Sequence, residues 1–183
     1  MNRFTLLPIA VLLSAARPII AASGCDAVNA AVIKVFQVPV HLYMTETAGF
    51  NGGKARNAET IYLNGATFVM VNGQWRKSVI LPKDLLPKDL AVGKKESEEK
   101  AGTCSIVRDE AVSGEPATLY KVHNQTAAGT LDTQIWVSKS KGLALKQIND
   151  QDVGGGARGK MHTEISYEYT NVTAPAVTEP KRK

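Results

Sequence analysis

What the chain lacks narrows its chemistry first. Of its 183 residues, none downstream of the first 24 belongs to an apolar run of 18, so the mature chain is expected to carry no transmembrane segment. Histidine is scarce: His41, His123 and His162 stand alone, without the carboxylate or cysteine spacing of a metal site. By strand parity all three should face solvent. No G-x-S-x-G elbow occurs, and no serine, aspartate and histidine are brought together, so nucleophilic catalysis is not expected. Basic charge is thin too. Arg3 and Arg17 account for two of the 22 basic residues against 17 acidic ones, and the rest are mixed with acids rather than gathered into the stripe a nucleic-acid binder needs. These absences leave no metal, no cofactor and no nucleic acid to expect, and point away from an enzyme.

Residues 1–24 read as a secretory signal peptide: Arg3 as the positive start, Phe4 to Ala16 as the apolar segment, then small residues up to Gly24. Cleavage after Ala16, Ala22 or Gly24 fits equally. The two cysteines, Cys25 and Cys104, form an even pair in an exported chain, which predicts one disulfide. Its loop of roughly 80 residues would stabilise by about 4 kcal/mol in the chain-entropy model. The alternative is an acylated Cys25 that anchors a lipoprotein, although Ala22 stands where such leaders usually carry leucine.

What is present is alternation. Cys25 to Phe36 spaces its alanines and valines as an amphipathic helix, stopped by Pro39. Val38 to Thr45 alternates as a strand, and Ala48 to Glu59 reads as a turn-rich loop. Three Asn-Gly steps, at Asn51, Asn64 and Asn72, announce a meander. Pro82 to Gly102 reads as one or two short helical pieces ending in the solvated run KKESEEK. Strand patterns then run from Cys104 to Val172, with period-two alternation that implies one buried face and one wet face. Gly154 to Lys160 mimics a phosphate loop, but Met161 stands where Ser or Thr would hold magnesium and a strand pattern follows, so it is read as a hairpin link. Trp136 falls on the parity opposite Ile135 and Val137, which puts it under a cover on the second face or in the open. Residues 173–183, with Pro175, Pro180 and a basic end, read as a disordered tail.

The fold class is therefore α+β. A strongly curved antiparallel meander of eight or nine strands, a half-barrel, is covered by an N-terminal helix and a short central helical segment. The hairpin built on Trp136, Val137, Gly142, Leu143, Leu145 and Lys146 resembles that of the periplasmic lipoprotein-localisation carriers and receptors, the LolA/LolB-like superfamily. Ala144 stands where those carriers usually have proline. The resemblance implies a single domain over 25–172, a periplasmic location, and an unclosed sheet whose concave apolar face accepts a lipid or lipoprotein acyl chain without chemistry. Candidate walls of that face are Val40, Leu42, Met44, Ile61, Leu63, Phe68, Met70, Tyr120, Val122, Ile135, Ile165 and Tyr167. The competing reading fills that face with its own side chains and leaves a structural or interaction domain with an envelope protein as partner. A hydrolase or metal site assembled only in three dimensions is the third.

Overall fold

A computed structural model describes residues 24–85, 103–126 and 129–177. The expected leader, the charged part of the central segment at 86–102 and the end of the tail lie outside the described residues. Helix α1, Gly24–Val35, carries Asp26 in its first turn and Lys34 in its last, each at the favourable end of the helix dipole. Val28, Ala31 and Val35 form its buried stripe at helical spacing. Ala31, fully buried, lets the helix sit close to the sheet.

Nine strands follow: β1 Val40–Ala48, β2 Ala55–Leu63, β3 Ala66–Val71, β4 Gln74–Lys77, β5 Thr103–Val112, β6 Glu115–Thr126, β7 Gly129–Ser138, β8 Ala144–Asp152 and β9 Lys160–Glu168. They make one open antiparallel sheet in the order β4-β3-β2-β1-β9-β8-β7-β6-β5. Two meanders therefore meet at a β1–β9 seam, where His41 pairs with Glu168 and Met44 with Ile165. With a helix on one side, this is the curved half-barrel that the resemblance implied. The Asn64-Gly65 and Asn72-Gly73 turns have both residues at positive φ, between 51° and 75°, which is the twist that two-residue hairpins demand. The expected loop at 48–59 is shorter than its composition suggested. Only a 3₁₀ turn at Gly49–Asn51 and the three residues Gly52, Gly53 and Lys54 separate β1 from β2. The Gly154–Lys160 stretch is a link, as expected, ending in a 3₁₀ turn at Gly156–Gly159. Gly49 meets that turn so closely that an added Cβ would lie 1.8 Å from the Ala157 carbonyl oxygen.

Helix α1 packs against β5, β6, β7 and β8. The face it covers, called inner here, holds the main core of Val40, Tyr62, Ile135, Val137 and Ala144 beneath Val28, Ala31 and Val35. The expectation of a single buried side does not hold. On the outer face Ala117, Leu119 and Trp136 form a second cluster with Val112, Leu145 and Ile148 packed against it. Trp136 is neither under a helix nor in the open. Flanking strand residues bury it, its indole N–H donates to Glu110, and the Lys146 ammonium stands 5.5 Å from its ring centre.

Candidate functional site

A cavity of about 360 Å³ opens on the inner face beside α1. Val32, Val35 and Phe36 form one wall, Leu42 and Met44 of β1 with Ala58, Thr60 and Tyr62 of β2 the floor, and Ile165 and Tyr167 of β9 with Gln147 of β8 the far side. The cause is the seat of the helix. α1 makes most of its contacts over β5–β8 and meets Val40 and Tyr62 at the near ends of β1 and β2, so among the described residues the same face farther along β2, β1 and β9 is left open. Ladder registry sets the wall. Leu42 pairs with Thr60 and Tyr167, and Met44 with Ala58 and Ile165, so apolar rungs stack across the seam.

Few polar atoms enter this space. Tyr167 donates its hydroxyl to Gln147 Oε1 at 2.9 Å. Tyr62, 9% exposed and tilted against Phe36 with ring centres 5.5 Å apart, has no hydrogen-bond partner for its hydroxyl among the described residues. Burial pushes the phenols of Tyr62, Tyr167 and Tyr169 up, so all three stay protonated, and neighbouring tyrosines add to the shift at Tyr167 and Tyr169. Tyr169 closes its own hydrogen bond to the Ala144 carbonyl at 2.7 Å.

The expected wall residues divide into three groups. Leu42, Met44, Ile165 and Tyr167 line the cavity. Val40, Tyr120, Val122 and Ile135 share the inner face but belong to the core around α1. Ile61, Leu63, Phe68 and Met70 lie on the outer face, because Tyr62 rather than Ile61 pairs with Val40, and Ile61 then pairs with His41 and Phe68. That reverses the expected parity of β2 and β3. The cavity residues missed by the sequence reading are Val32, Val35, Phe36, Ala58, Thr60, Tyr62 and Gln147. The helical ones were legible as an amphipathic face, but a glutamine on a strand carries no sign of burial.

The histidines are not isolated in space. His41 bonds Glu59 at 3.1 Å, His123 bonds Asp132 at 2.9 Å and His162 bonds Asp150 at 2.7 Å. His123 and His162 are half-exposed, whereas the His41 side chain is only 18% exposed, stacked on Tyr43 and edge-on to Trp75. Among the described residues, no group of three or more His, Cys, Asp or Glu is placed to hold a metal ion, and no helix is long and apolar enough to cross a membrane. Thr173 and Pro175, at the start of the expected tail, lie beside Trp75 and His41 on the outer face.

No family model matches the chain, and no curated protein matches its sequence. Among solved structures, the chain is similar to LprF from Mycobacterium bovis at 11% identity and a TM-score of 0.49, over 84% of this chain and 96% of that one. It is similar to MucB, solved in complex with MucA(peri), at 15% identity and a TM-score of 0.48, over 84% of this chain but only 57% of MucB. A LolA superfamily protein from Nitrosomonas europaea matches at 10% identity and a TM-score of 0.32, over 81% of this chain and 92% of that one.

Proposed function

We propose that this chain is a non-catalytic protein of the bacterial envelope that holds a lipid or lipoprotein acyl chain between α1 and the β2-β1-β9-β8 floor. The observation that carries this reading is the cavity itself. At about 360 Å³, with Val32, Phe36, Leu42, Met44 and Ile165 in its walls, it falls within the range of roughly 300–1,000 Å³ usual for ligand sites. Each methylene it takes from water contributes about 0.8 kcal/mol. Export through the 1–24 leader and a Cys25–Cys104 disulfide complete the proposal. α1 begins one residue before Cys25 and packs against β5, which bears Cys104, and no free thiol occurs among the described residues. Intact mass of the secreted chain without reduction tests the disulfide, and a diacylglycerol adduct on Cys25 would replace it with a membrane anchor.

Native mass spectrometry of protein purified from cells tests the binding. Co-purified lipid should be present in the wild type and in the outer-face variant Met70→Glu, and absent from Leu42→Glu. A folded wild type that carries no lipid and takes up none when offered would move the reading to a closed-core interaction domain.

A further inference from the structure

We propose that the cavity reads the head of its ligand as well as the chain, and that the ligand is an acyl ester or amide whose neutral carbonyl accepts hydrogen bonds from Gln147 and Asn149. The inference rests on the acyl-chain reading above and goes on to name the head group. Along β8 the inner face turns polar. Gln147 and Asn149 follow Ala144 on that side, paired with Ile135 and Thr133 of β7 and with Ile165 and Thr163 of β9. Thr133 and Thr163 are 8% and 7% exposed, so this polar band is built into the sheet rather than left in water.

Its hydrogen bonds have one sense. Tyr167 Oη donates to Gln147 Oε1, Gln147 Nε2 donates to Asn149 Oδ1, and Thr133 Oγ1 donates to the same Asn149 oxygen, each at 2.9 Å. Both amide oxygens are therefore engaged. A carboxamide nitrogen carries two N–H groups. Gln147 spends one of its pair and Asn149 neither, among the described residues. Gln147 lines the cavity and Asn149 stands one inner-face position beyond its lining along β8, so the surplus at this end is one of donors, and a half-buried donor is satisfied by an acceptor on the ligand.

A carbonyl and a carboxylate would both accept, and charge decides between them. The lining holds no lysine, arginine or histidine. Arg56 lies on the same face two residues along β2 from Ala58, but it stands opposite Glu46 across the β1 ladder. A carboxylate drawn in beside Ile165 and Tyr167 would give up hydration that neutral N–H groups do not restore. An ester or amide carbonyl loses far less.

The test titrates the delipidated full chain, loaded with the neutral fluorescent probe N-phenyl-1-naphthylamine, with 1-monodecanoylglycerol and with decanoate at pH 8. The ester should displace the probe at about tenfold lower concentration than the acid, because the carboxylate gives up more hydration on entering than the neutral ester does. Gln147→Leu and Asn149→Ser should each raise the ester concentration needed for displacement by about three- to tenfold over the wild type, after correction for the probe affinity measured in that variant. Equal or tighter binding of decanoate to the wild type would overturn the head-group inference and leave the acyl-chain reading standing. Failure of both ligands to displace the probe would overturn both. Ester affinity that is unchanged in both variants would show that the two amides do not read the carbonyl.

Discussion

A hollow inner face and a filled one respond differently to truncation, and Leu42 and Ile135 provide the comparison. Ile135 is fully buried in the core under α1. Ile135→Ala removes three carbons, about 2.4 kcal/mol at roughly 0.8 kcal/mol each, and the void left in a close-packed core raises the cost to about 3–5 kcal/mol. Leu42 is only half-buried and already borders the cavity. Leu42→Ala enlarges a space that exists, so it forfeits contacts on one side only, about 1–1.5 kcal/mol. Urea unfolding of the delipidated protein, followed by circular dichroism, measures both. With m near about 2 kcal/mol/M, the midpoints should fall by roughly 1.5–2.5 M for Ile135→Ala and about 0.5–0.8 M for Leu42→Ala. Equal losses at unchanged m would mean that Leu42 sits in a filled core, and the proposed site would go with it.

Other outcomes follow from single contacts. His162 bonds Asp150 and also Glu164, which raise its pKa above the ordinary value despite some opposing desolvation. That stability is fully present below the unfolded pKa of about 6.5 and is lost as pH rises through the higher folded value. The stability gap between wild type and His162→Gln, read as urea midpoints, should thus be wider at pH 5.5 than at pH 8.5, and a gap that widens with pH would refute it. Trp136→Phe removes the indole donor to Glu110 and should cost about 1–2 kcal/mol in thermal unfolding, with loss of the more blue-shifted tryptophan emission. The same change at the more exposed Trp75 should cost less. Gly49→Ala drives a methyl group into the Ala157 carbonyl and should cost about 1–3 kcal/mol, with faster amide exchange at 49–53 and 156–159 than in α1.

The hairpins were legible because Asn-Gly steps have few other uses, and the walls at Leu42, Met44, Ile165 and Tyr167 were legible because each alternates with polar neighbours. The same rule failed at Ile61 and Phe68. β2 and β3 are apolar on both parities, with Ile61 beside Tyr62 and Phe68 beside Val69. Period-two patterning says which residues share a face, not which face meets the helix. That choice is made by the pairing of Tyr62 with Val40, a contact with β1 that local pattern does not contain. The histidine–carboxylate bonds were invisible for the same reason, since each joins neighbouring strands, directly opposite for His123–Asp132 and His162–Asp150 and diagonally for His41–Glu59. Trp136 was misjudged because a covering helix was taken as the only way to bury it, whereas Leu119, Ile148 and the stem of Lys146 do so within the sheet.

Strand order gives the cavity a dependence that its residue composition hides. Its floor takes Leu42, Met44, Thr60 and Tyr62 from the first meander, and Gln147, Ile165 and Tyr167 from the last two strands of the second. Among the described residues the strands of these halves pair along the β1–β9 ladder, with the Gly49–Ala157 contact at one end, and ladder partners such as His41 and Glu168 lie far apart in the chain. Contacts of that separation must overcome a large loop-closure entropy. The site therefore exists only once the whole sheet has closed its seam, and a ligand lying across it contacts both meanders at once. Binding energy is then linked to opening of the seam rather than to the order of one loop. An acyl chain in this position would stabilise the domain globally, and a protein emptied of its ligand would be weakest along β1 and β9.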